Sequence, residues 1–294
     1  MNIYLIVTFL TNNCEYNQIL LKSSTTIVQE VYASILESIL GLPIPEMRLL
    51  EFSDQEFDEM STSLLNASKS NESLYDFIKL ELSKSFFFIM EYIPYGKTFK
   101  ELNHKEYFSG STGEKKLMQL GQIMAFDIFC NNWDRLPLIW MDNGTNFSNI
   151  LFFDTPSKEG WYFLLINSNM TCIGNNNPIS NSNKKYIARI KSLVYSIFRN
   201  PSVESTQVKK MREIISKYYK INLSSSSGIL LQRGILHGIQ LIVNKITPSI
   251  LKDTKEKLKH LIKIDFNSIW KKGIESIYLP FLLDVLENLK NQSF

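Results

Sequence analysis

The sequence predicts an α+β fold with two lobes, a small strand-rich lobe over residues 1–95 and a larger helical lobe over residues 96–294. Two observations lead to this prediction. Short runs rich in β-branched and aromatic residues dominate the first lobe, whereas the apolar spacing of helices dominates the second. The chain has no internal repeat, and 44% of its 294 residues are hydrophobic, which is enough for one large core. We therefore expect a single domain over residues 1–294.

Composition and charge argue against several classes of protein. The net charge is +3 and no long basic run occurs, so a nucleic-acid partner is not expected. No stretch approaches the ~18 consecutive apolar residues of a membrane span, so a membrane partner is not expected either. The cysteines Cys14, Cys130 and Cys172 lack CxxC spacing, which argues against a zinc site and favours a reduced, cytoplasmic protein.

The first lobe is predicted from four apolar runs and one helix. The strand-like runs cover residues 3–9, 18–22, 47–52 and 86–93. A helix is expected over 26–40, where Ile27, Val31, Ile35 and Ile39 recur at helical spacing before Gly41 ends the pattern. The polar stretch 54–76 is interpreted as an excursion with at most one helix.

The second lobe is predicted to be mostly helical, with a β-rich patch between its first two helices. The patch consists of the runs 149–154 and 160–166. The expected helices cover residues 114–131, 183–199, 204–220, 228–245, 248–263 and 276–291.

Two features of the first lobe indicate a nucleotide site. Lys22 ends a strand-like run and Glu30 lies on the next helix, and a strand lysine paired with a helix glutamate holds ATP phosphates in kinases. The run FFFIMEYIPYG then enters a Pro–Gly turn, as an interlobe hinge does, where backbone groups of Glu91 to Ile93 could bind adenine. The alternative for Lys22 and Glu30 is a pair of solvated surface charges, and the alternative for the run before the turn is an ordinary core strand.

The second lobe supplies polar residues in the order of a phosphotransfer site. In FDIFCNNWDRLPLIW, Asp134 is either a salt-bridged structural corner or a carboxylate placed for chemistry. Asn149 begins the next strand and Asn167 follows the strand after it. A carboxylate on a turn would orient the attacking hydroxyl, and Asn149 would supply an oxygen to Mg²⁺. Asp154 is an alternative metal ligand, although a turn residue is the simpler interpretation.

Several of these segments together resemble a known family. The runs KSSTTIVQEVYASILESILGLPIPEMRLLEF, FFFIMEYIPYG, NNWDRLPLIW, NILFF and LLINSNMTCIG are similar to the catalytic domain of actin-fragmin kinase, over about residues 15–290. The resemblance implies a two-lobed protein-kinase-like fold. It also implies ATP-dependent phosphorylation of serine or threonine on a protein substrate, with actin bound to fragmin as the family's substrate. Family members can carry kelch repeats, and none are expected in residues 1–294.

Carried over residue by residue, the resemblance makes Lys22 the phosphate lysine, Glu30 its partner and Asp134 the catalytic aspartate. Asn149 becomes the first metal ligand. Two departures from the family pattern weaken the ATP and Mg²⁺ site. Asn167 stands where the pattern has a metal-binding aspartate, and an amide oxygen is neutral. The expected phosphate loop, LTNNCEYN, has no glycine to let the backbone approach phosphates closely.

Three hypotheses of function remain open at this point. The first is an active kinase-like phosphotransferase, favoured by Asp134. The second is a pseudokinase, a binding or scaffold module without phosphate transfer, favoured by Asn167 and the glycine-free loop. The third is a different transferase chemistry on the same fold, or an unrelated function.

Overall fold

The computed structural model describes residues 3–10, 15–136, 138–139, 146–157, 159–172, 180–220 and 222–292. Within these ranges it is mixed α+β and mostly helical, so the predicted α+β class is confirmed. The strands are β1 (Ile3–Leu10), β2 (Tyr16–Ser23), β3 (Met47–Glu51), β4 (Phe86–Glu91), β5 (Ile150–Phe152) and β6 (Phe163–Leu165). The helices are α1 (Ile27–Leu40), α2 (Gln55–Ser68), α3 (Glu72–Leu82), α4 (His104–Tyr107), α5 (Gly110–Cys130), α6 (Ser180–Arg199), α7 (Thr206–Tyr219), α8 (Ser225–Lys245), α9 (Pro248–Leu258), α10 (Ile269–Ser276) and α11 (Leu279–Gln292).

Strand β4 is one of the two inner strands of an antiparallel sheet with the order β1-β2-β4-β3. Its residues 86–90 form an unbroken buried apolar run because the sheet is covered on both faces. Phe86, Phe88 and Met90 belong to the main core together with α1, whereas Phe87 and Ile89 belong to a smaller core with α2. The alternation of side chains along a strand produces this division.

The polar stretch after β3 forms two helices, α2 and α3, so the prediction of at most one helix there was wrong. Both helices bury few residues, and their apolar stripe was too thin to recognise in the sequence. Packing supplies what the sequence pattern lacks: the rings of Phe57 and Phe87 lie 5.4 Å apart between α2 and the sheet. The Asn71 side chain caps α3 by accepting a hydrogen bond of 3.1 Å from the Leu74 amide.

Helix α1 is buried nearly all around its circumference. The predicted stripe describes only one side of it, because Ile35 and Ile39 are partly buried whereas Tyr32 and Leu36 are fully buried. Helices α8, α9 and α10 contact α1 in addition to the sheet. The predicted end of the helix is confirmed, since Gly41 adopts φ 74° and its amide caps the last turn.

The helical part is built around α5 and α8, whose backbones approach closely. A Cβ on Gly121 would lie 2.2 Å from the carbonyl oxygen of Leu231, and one on Gly234 would lie 2.0 Å from that of Met118. Each of the six predicted helices in this part is present with bounds shifted by a few residues, and α9 ends earlier than predicted. None of the helices in the described ranges is long and apolar enough to cross a membrane.

Helix α10 was not predicted. It is only 8 residues long, contains a glycine, and follows two residues with left-handed backbone, Asn267 (φ 59°) and Ser268 (φ 55°). No helical period longer than two turns was therefore visible in this part of the sequence.

Candidate active site

The first element of the site is a buried ion pair between Lys22, near the end of β2, and Glu30, in the first turn of α1. Their side chains are only 1% and 4% exposed, so the alternative of solvated surface charges is wrong. The second carboxylate oxygen of Glu30 accepts hydrogen bonds from the hydroxyls of Ser24 (2.6 Å) and Thr26 (3.1 Å). Burial lowers the pKa of Lys22, and the Glu30 carboxylate opposes that shift.

A chain of hydrogen bonds leads from this pair to Asp134. The Lys22 ammonium donates to Oδ1 of Asn167 at 2.9 Å. The Asn167 amide donates to Oδ1 of Asn149 at 3.4 Å, and the Asn149 amide donates to Oδ2 of Asp134 at 2.9 Å. We call Glu30, Lys22, Asn167, Asn149 and Asp134 the polar chain. Their predicted convergence is confirmed as geometry, and their roles in catalysis remain predictions.

The antiparallel hairpin β5–β6 brings the two asparagines of the polar chain together. Asn149 ends a 3₁₀ turn just before β5, and Asn167 follows β6. A bridge between Lys97 and Phe152 attaches the hairpin to the segment that leaves β4. Gly96 permits this approach, since a Cβ there would lie 2.8 Å from Cδ1 of Leu151. The predicted runs 149–154 and 160–166 form this hairpin, with strands shorter than predicted.

The turn after α5 separates a structural residue from a site residue. Asn131 ends the helix with left-handed backbone (φ 50°), which asparagine tolerates. Arg135 is fully buried and is the salt-bridged corner: it donates to Asp127 at 2.8 Å and to the Asn167 carbonyl oxygen at 2.6 Å. Asp134 is only half-buried and contacts Asn149. Arg135 therefore occupies the salt-bridged corner, and the role of Asp134 as a carboxylate placed for chemistry stays a prediction.

Sequence reasoning missed the acids around Arg135. Glu37 of α1 lies 3.8 Å from Nη2 of the guanidinium and accepts a hydrogen bond of 2.5 Å from Ser168, and Asp127 accepts from Nη1. Burial raises the pKa of Glu37 and of Asp127 to about 7, with Arg135 opposing the shift in both cases. Glu37 Oε2 and Asp127 Oδ2 have no hydrogen-bond partner in the described part of the chain. Two signals could have found this cluster: Glu37 lies two helical turns after Glu30, and Asp127 interrupts the apolar run of α5.

The predicted hinge is only partly suited to adenine. The Glu91 side chain is exposed, and its amide donates to the carbonyl oxygen of Glu46 at 2.9 Å, so this amide is not a donor for a nucleotide. The Ile93 carbonyl oxygen accepts a hydrogen bond of 3.4 Å from the Gly96 amide in the turn. Binding of adenine by backbone groups near Ile93 remains a prediction.

Two other sequence expectations have different outcomes. Residues 11–14 of the expected phosphate loop, including Cys14, lie outside the described residues. Asp154 is exposed and forms an ion pair with Lys97, so its suggested role as a substitute metal ligand is not supported.

The donor set suits a divalent cation weakly. Within the described ranges, no group of three His, Cys, Asp or Glu side chains could hold a metal ion. The oxygens near the proposed position are the amide oxygens of Asn149 and Asn167 and the carboxylate of Asp134, and Lys22 already donates to Asn167. Mg²⁺ prefers carboxylate and phosphate oxygens. The residues therefore fit Mg²⁺ only when ATP phosphates supply the remaining ligands and charge.

A buried lysine–glutamate pair joined to a turn aspartate through two strand-end amides defines the class of kinase-like phosphotransferases. The comparisons with known proteins specify this class further. The family model of the actin-fragmin kinase catalytic domain matches residues 1–239, and the chain belongs to the actin-fragmin kinase family.

Three relatives from Dictyostelium discoideum are provisionally named actin-fragmin kinases. One is 66% identical over 98% of this chain and 69% of its own length. A second is 57% identical over 93% of this chain and 63% of its own length, and a third is 50% identical over 97% and 69%. The chain thus spans about two thirds of the length of these relatives.

Proposed function

We propose that this chain is an ATP-dependent protein kinase that phosphorylates serine or threonine, with weak activity because its metal site is incomplete. The polar chain is the observation that carries the proposal. It links Lys22, a buried lysine paired with a glutamate, to the half-buried carboxylate of Asp134. The nucleotide would lie in a cleft between the sheet and the helical part, in a two-lobed arrangement. The relatives' names favour actin, or an actin complex, as the protein substrate.

Each residue of the polar chain has a proposed role. Lys22 contacts the ATP phosphates, and Glu30, fixed by Ser24 and Thr26, holds the lysine in position. Asp134 orients the substrate hydroxyl and accepts its proton. The hydrogen bond from Asn149 fixes the orientation of that carboxylate.

Asn149 and Asn167 would hold Mg²⁺ together with the phosphates. When bound, Mg²⁺ would supply positive charge that offsets the negative charge developing on the phosphates during transfer. Both amide oxygens are neutral, and each already accepts a hydrogen bond from another member of the polar chain. A partial loss of ~3 kcal/mol of stabilisation in the transition state slows a reaction roughly a hundredfold. This is the physical reason for the weak activity in the proposal.

A pseudokinase is the second candidate function, and one observation favours it. Each asparagine of the polar chain donates one hydrogen bond and accepts one, so the site is internally satisfied without nucleotide or metal. A protein with such a site could bind a partner or a nucleotide without transferring phosphate.

Calorimetry of ATP binding, with and without Mg²⁺ and Mn²⁺, separates the two candidates when combined with a transfer assay. We expect metal-dependent ATP binding and slow phosphate transfer to actin or to an actin–fragmin complex. Lys22→Met should abolish binding, whereas Lys115→Met, at an exposed lysine of α5, should not change it. ATP binding without transfer to any of these substrates would support the pseudokinase, and no binding would reject the ATP site.

A further inference from the structure

The C-terminal part of the chain contacts α1 where Glu30 emerges. Helix α10 lies against the first turn of α1: a Cβ on Gly273 would lie 2.4 Å from Cγ2 of Val28. Gln29 donates a hydrogen bond of 2.5 Å to the Ser276 hydroxyl. Val28 and Gln29 directly precede Glu30 in the chain. The position of Glu30 is therefore coupled to the position of α10.

The segment that carries α10 is itself anchored to the end of β3 and to the turn that follows it. We call residues 258–276 the clamp segment. The buried Glu51 carboxylate, at the end of β3, accepts hydrogen bonds of 2.9–3.0 Å from the Lys263 amide and of 3.3 Å from the Ile264 amide. The rings of Phe52 and Phe266 are in edge contact at 5.9 Å. Because the Glu51 carboxylate accepts hydrogen bonds from two successive backbone amides, it fixes the position of this segment against β3.

Trp270 connects the clamp segment to the core. It is almost fully buried, its ring centroid lies 5.0 Å from that of Phe86 in β4, and its indole N–H donates to the Leu258 carbonyl oxygen at 2.8 Å. Its backbone amide is capped by Asp265 at 2.8 Å. The clamp segment thus contacts β3, β4, which pairs with β2 at Lys22, and α1, which carries Glu30.

The glycine of α10 is explained by this contact. Alanine is favoured over glycine in the interior of a helix, so Gly273 is unfavourable for α10 on its own. Its lack of a Cβ is what permits the contact with Val28. A methyl group at this position would push the two helices apart.

We propose that Gly273, Trp270 and Ser276 are positioning residues, and that the clamp segment holds the first turn of α1 so that Glu30 remains paired with Lys22. The consequence for catalysis rests on the proposed function of the lysine–glutamate pair, whereas the structural coupling does not. The clamp segment lies beyond residues 1–239, which the family model matches. A protein that lacked it would retain the residues of the polar chain but lose the contact of α10 with the first turn of α1.

The test adds a methyl group at Gly273 and removes methyl groups from Val28, on the two sides of the contact between α10 and α1. Four variants of the full chain are compared with the wild type: Gly273→Ala, Val28→Ala, the combination of both, and Lys272→Ala as an exposed control on the same helix. The first readout is the rate at which an acylating reagent modifies Lys22, measured by peptide mass spectrometry without nucleotide, with the melting temperature as a check of folding. The second readout is the affinity for ATP with Mg²⁺.

We expect Gly273→Ala to accelerate Lys22 acylation about tenfold or more, because the lysine reacts only when its buried pair opens. A displacement of about 1 Å can cost on the order of a hundredfold in the rate of a positioned reaction, so ATP affinity and turnover should fall as well. Adding Val28→Ala removes the contact with Cγ2 but leaves the Val28 Cβ 2.6 Å from the new methyl group, so it should restore the values only in part. Lys272→Ala should leave them unchanged.

A folded Gly273→Ala variant with wild-type acylation of Lys22 would overturn the proposal. If Gly273→Ala does not fold, the variant Phe266→Ala with Ser276→Ala decides, since both side chains are exposed and the change adds no volume. Faster acylation of Lys22 then supports the clamp, and an unchanged rate overturns it. If the wild type binds no ATP, the proposed function fails, while Lys22 acylation still decides on the clamp.

Discussion

Asn167→Asp tests whether the missing negative charge after β6 limits phosphate transfer. The substitution replaces an amide oxygen by a carboxylate oxygen of nearly the same size. The Asn167 side chain is almost fully buried and lies 2.9 Å from the Lys22 ammonium. The new carboxylate cannot donate to Asn149, so the long hydrogen bond of 3.4 Å between these side chains is lost unless the Asn149 amide reorients.

The magnitude of the effect follows from this distance. At 2.9 Å and an effective dielectric of about 20, a unit charge pair attracts by ~6 kcal/mol. Desolvation of a buried carboxylate opposes this attraction by several kcal/mol. If the new carboxylate attracted Mg²⁺ as strongly as this, the transition state would be stabilised by a net ~3 kcal/mol. That stabilisation corresponds to roughly a hundredfold increase in rate.

The assay is phosphate transfer to actin or to a generic basic substrate over a series of Mg²⁺ concentrations. We expect Asn167→Asp to raise the rate and to lower the Mg²⁺ concentration for half-maximal activity. Asn146→Asp is the matched control, because it adds the same charge near the hairpin and retains the oxygen that accepts from the Ser148 amide. An unchanged Mg²⁺ dependence in Asn167→Asp would refute the argument from the metal site, as would wild-type turnover at ordinary kinase rates of ~1–100 s⁻¹.

Three further predictions concern the turn and the cluster beneath it. Asp134→Ala should abolish phosphate transfer with an unchanged melting temperature, because this half-buried carboxylate is the proposed base; transfer that persists would exclude that role. Arg135→Met should lower the free energy of unfolding by about 3–5 kcal/mol in urea titrations at neutral pH, since it leaves Asp127 and Glu37 buried without a cation. Burial raises the pKa of Glu37 and of Asp127 to about 7, from ordinary values of 4.5 and 3.8, so the folded state binds more protons than the unfolded chain between these values. The free energy of unfolding should therefore fall as pH rises from about 4.5 to about 7, by up to ~1.4 kcal/mol per pH unit for each proton. Glu37→Gln should flatten this dependence, and an unchanged slope would contradict the assignment.

Local sequence patterns were sufficient where neighbouring residues decide the structure. The strands at 18–22 and 86–93 were predicted because β-branched and aromatic residues favour a pleated, buried backbone. The end of α1 was predicted because Gly41 readily adopts the left-handed backbone that a helix C-terminus requires. The order of Asp134, Asn149 and Asn167 along the chain, with a hairpin between the two asparagines, was enough to predict that their side chains converge.

Long-range packing decided what these patterns could not. Lys22 and Asn167 are 145 residues apart in the chain, and Ser168 and Glu37 are 131 apart, so no local pattern shows that they form hydrogen bonds. Helix α2 is too polar to be recognised from its own sequence and exists because Phe57 packs on the sheet.

The sequence by itself determined most of the elements of this protein, the α+β class and the residue types of its candidate site. Only the tertiary structure decided that Arg135 is the buried corner, that Asp134 contacts Asn149, and that α10 supports the helix of Glu30. The physical reason is that propensity and capping act within a few residues of the chain, whereas burial, ion pairing and close helix contact depend on which distant segments exclude water together.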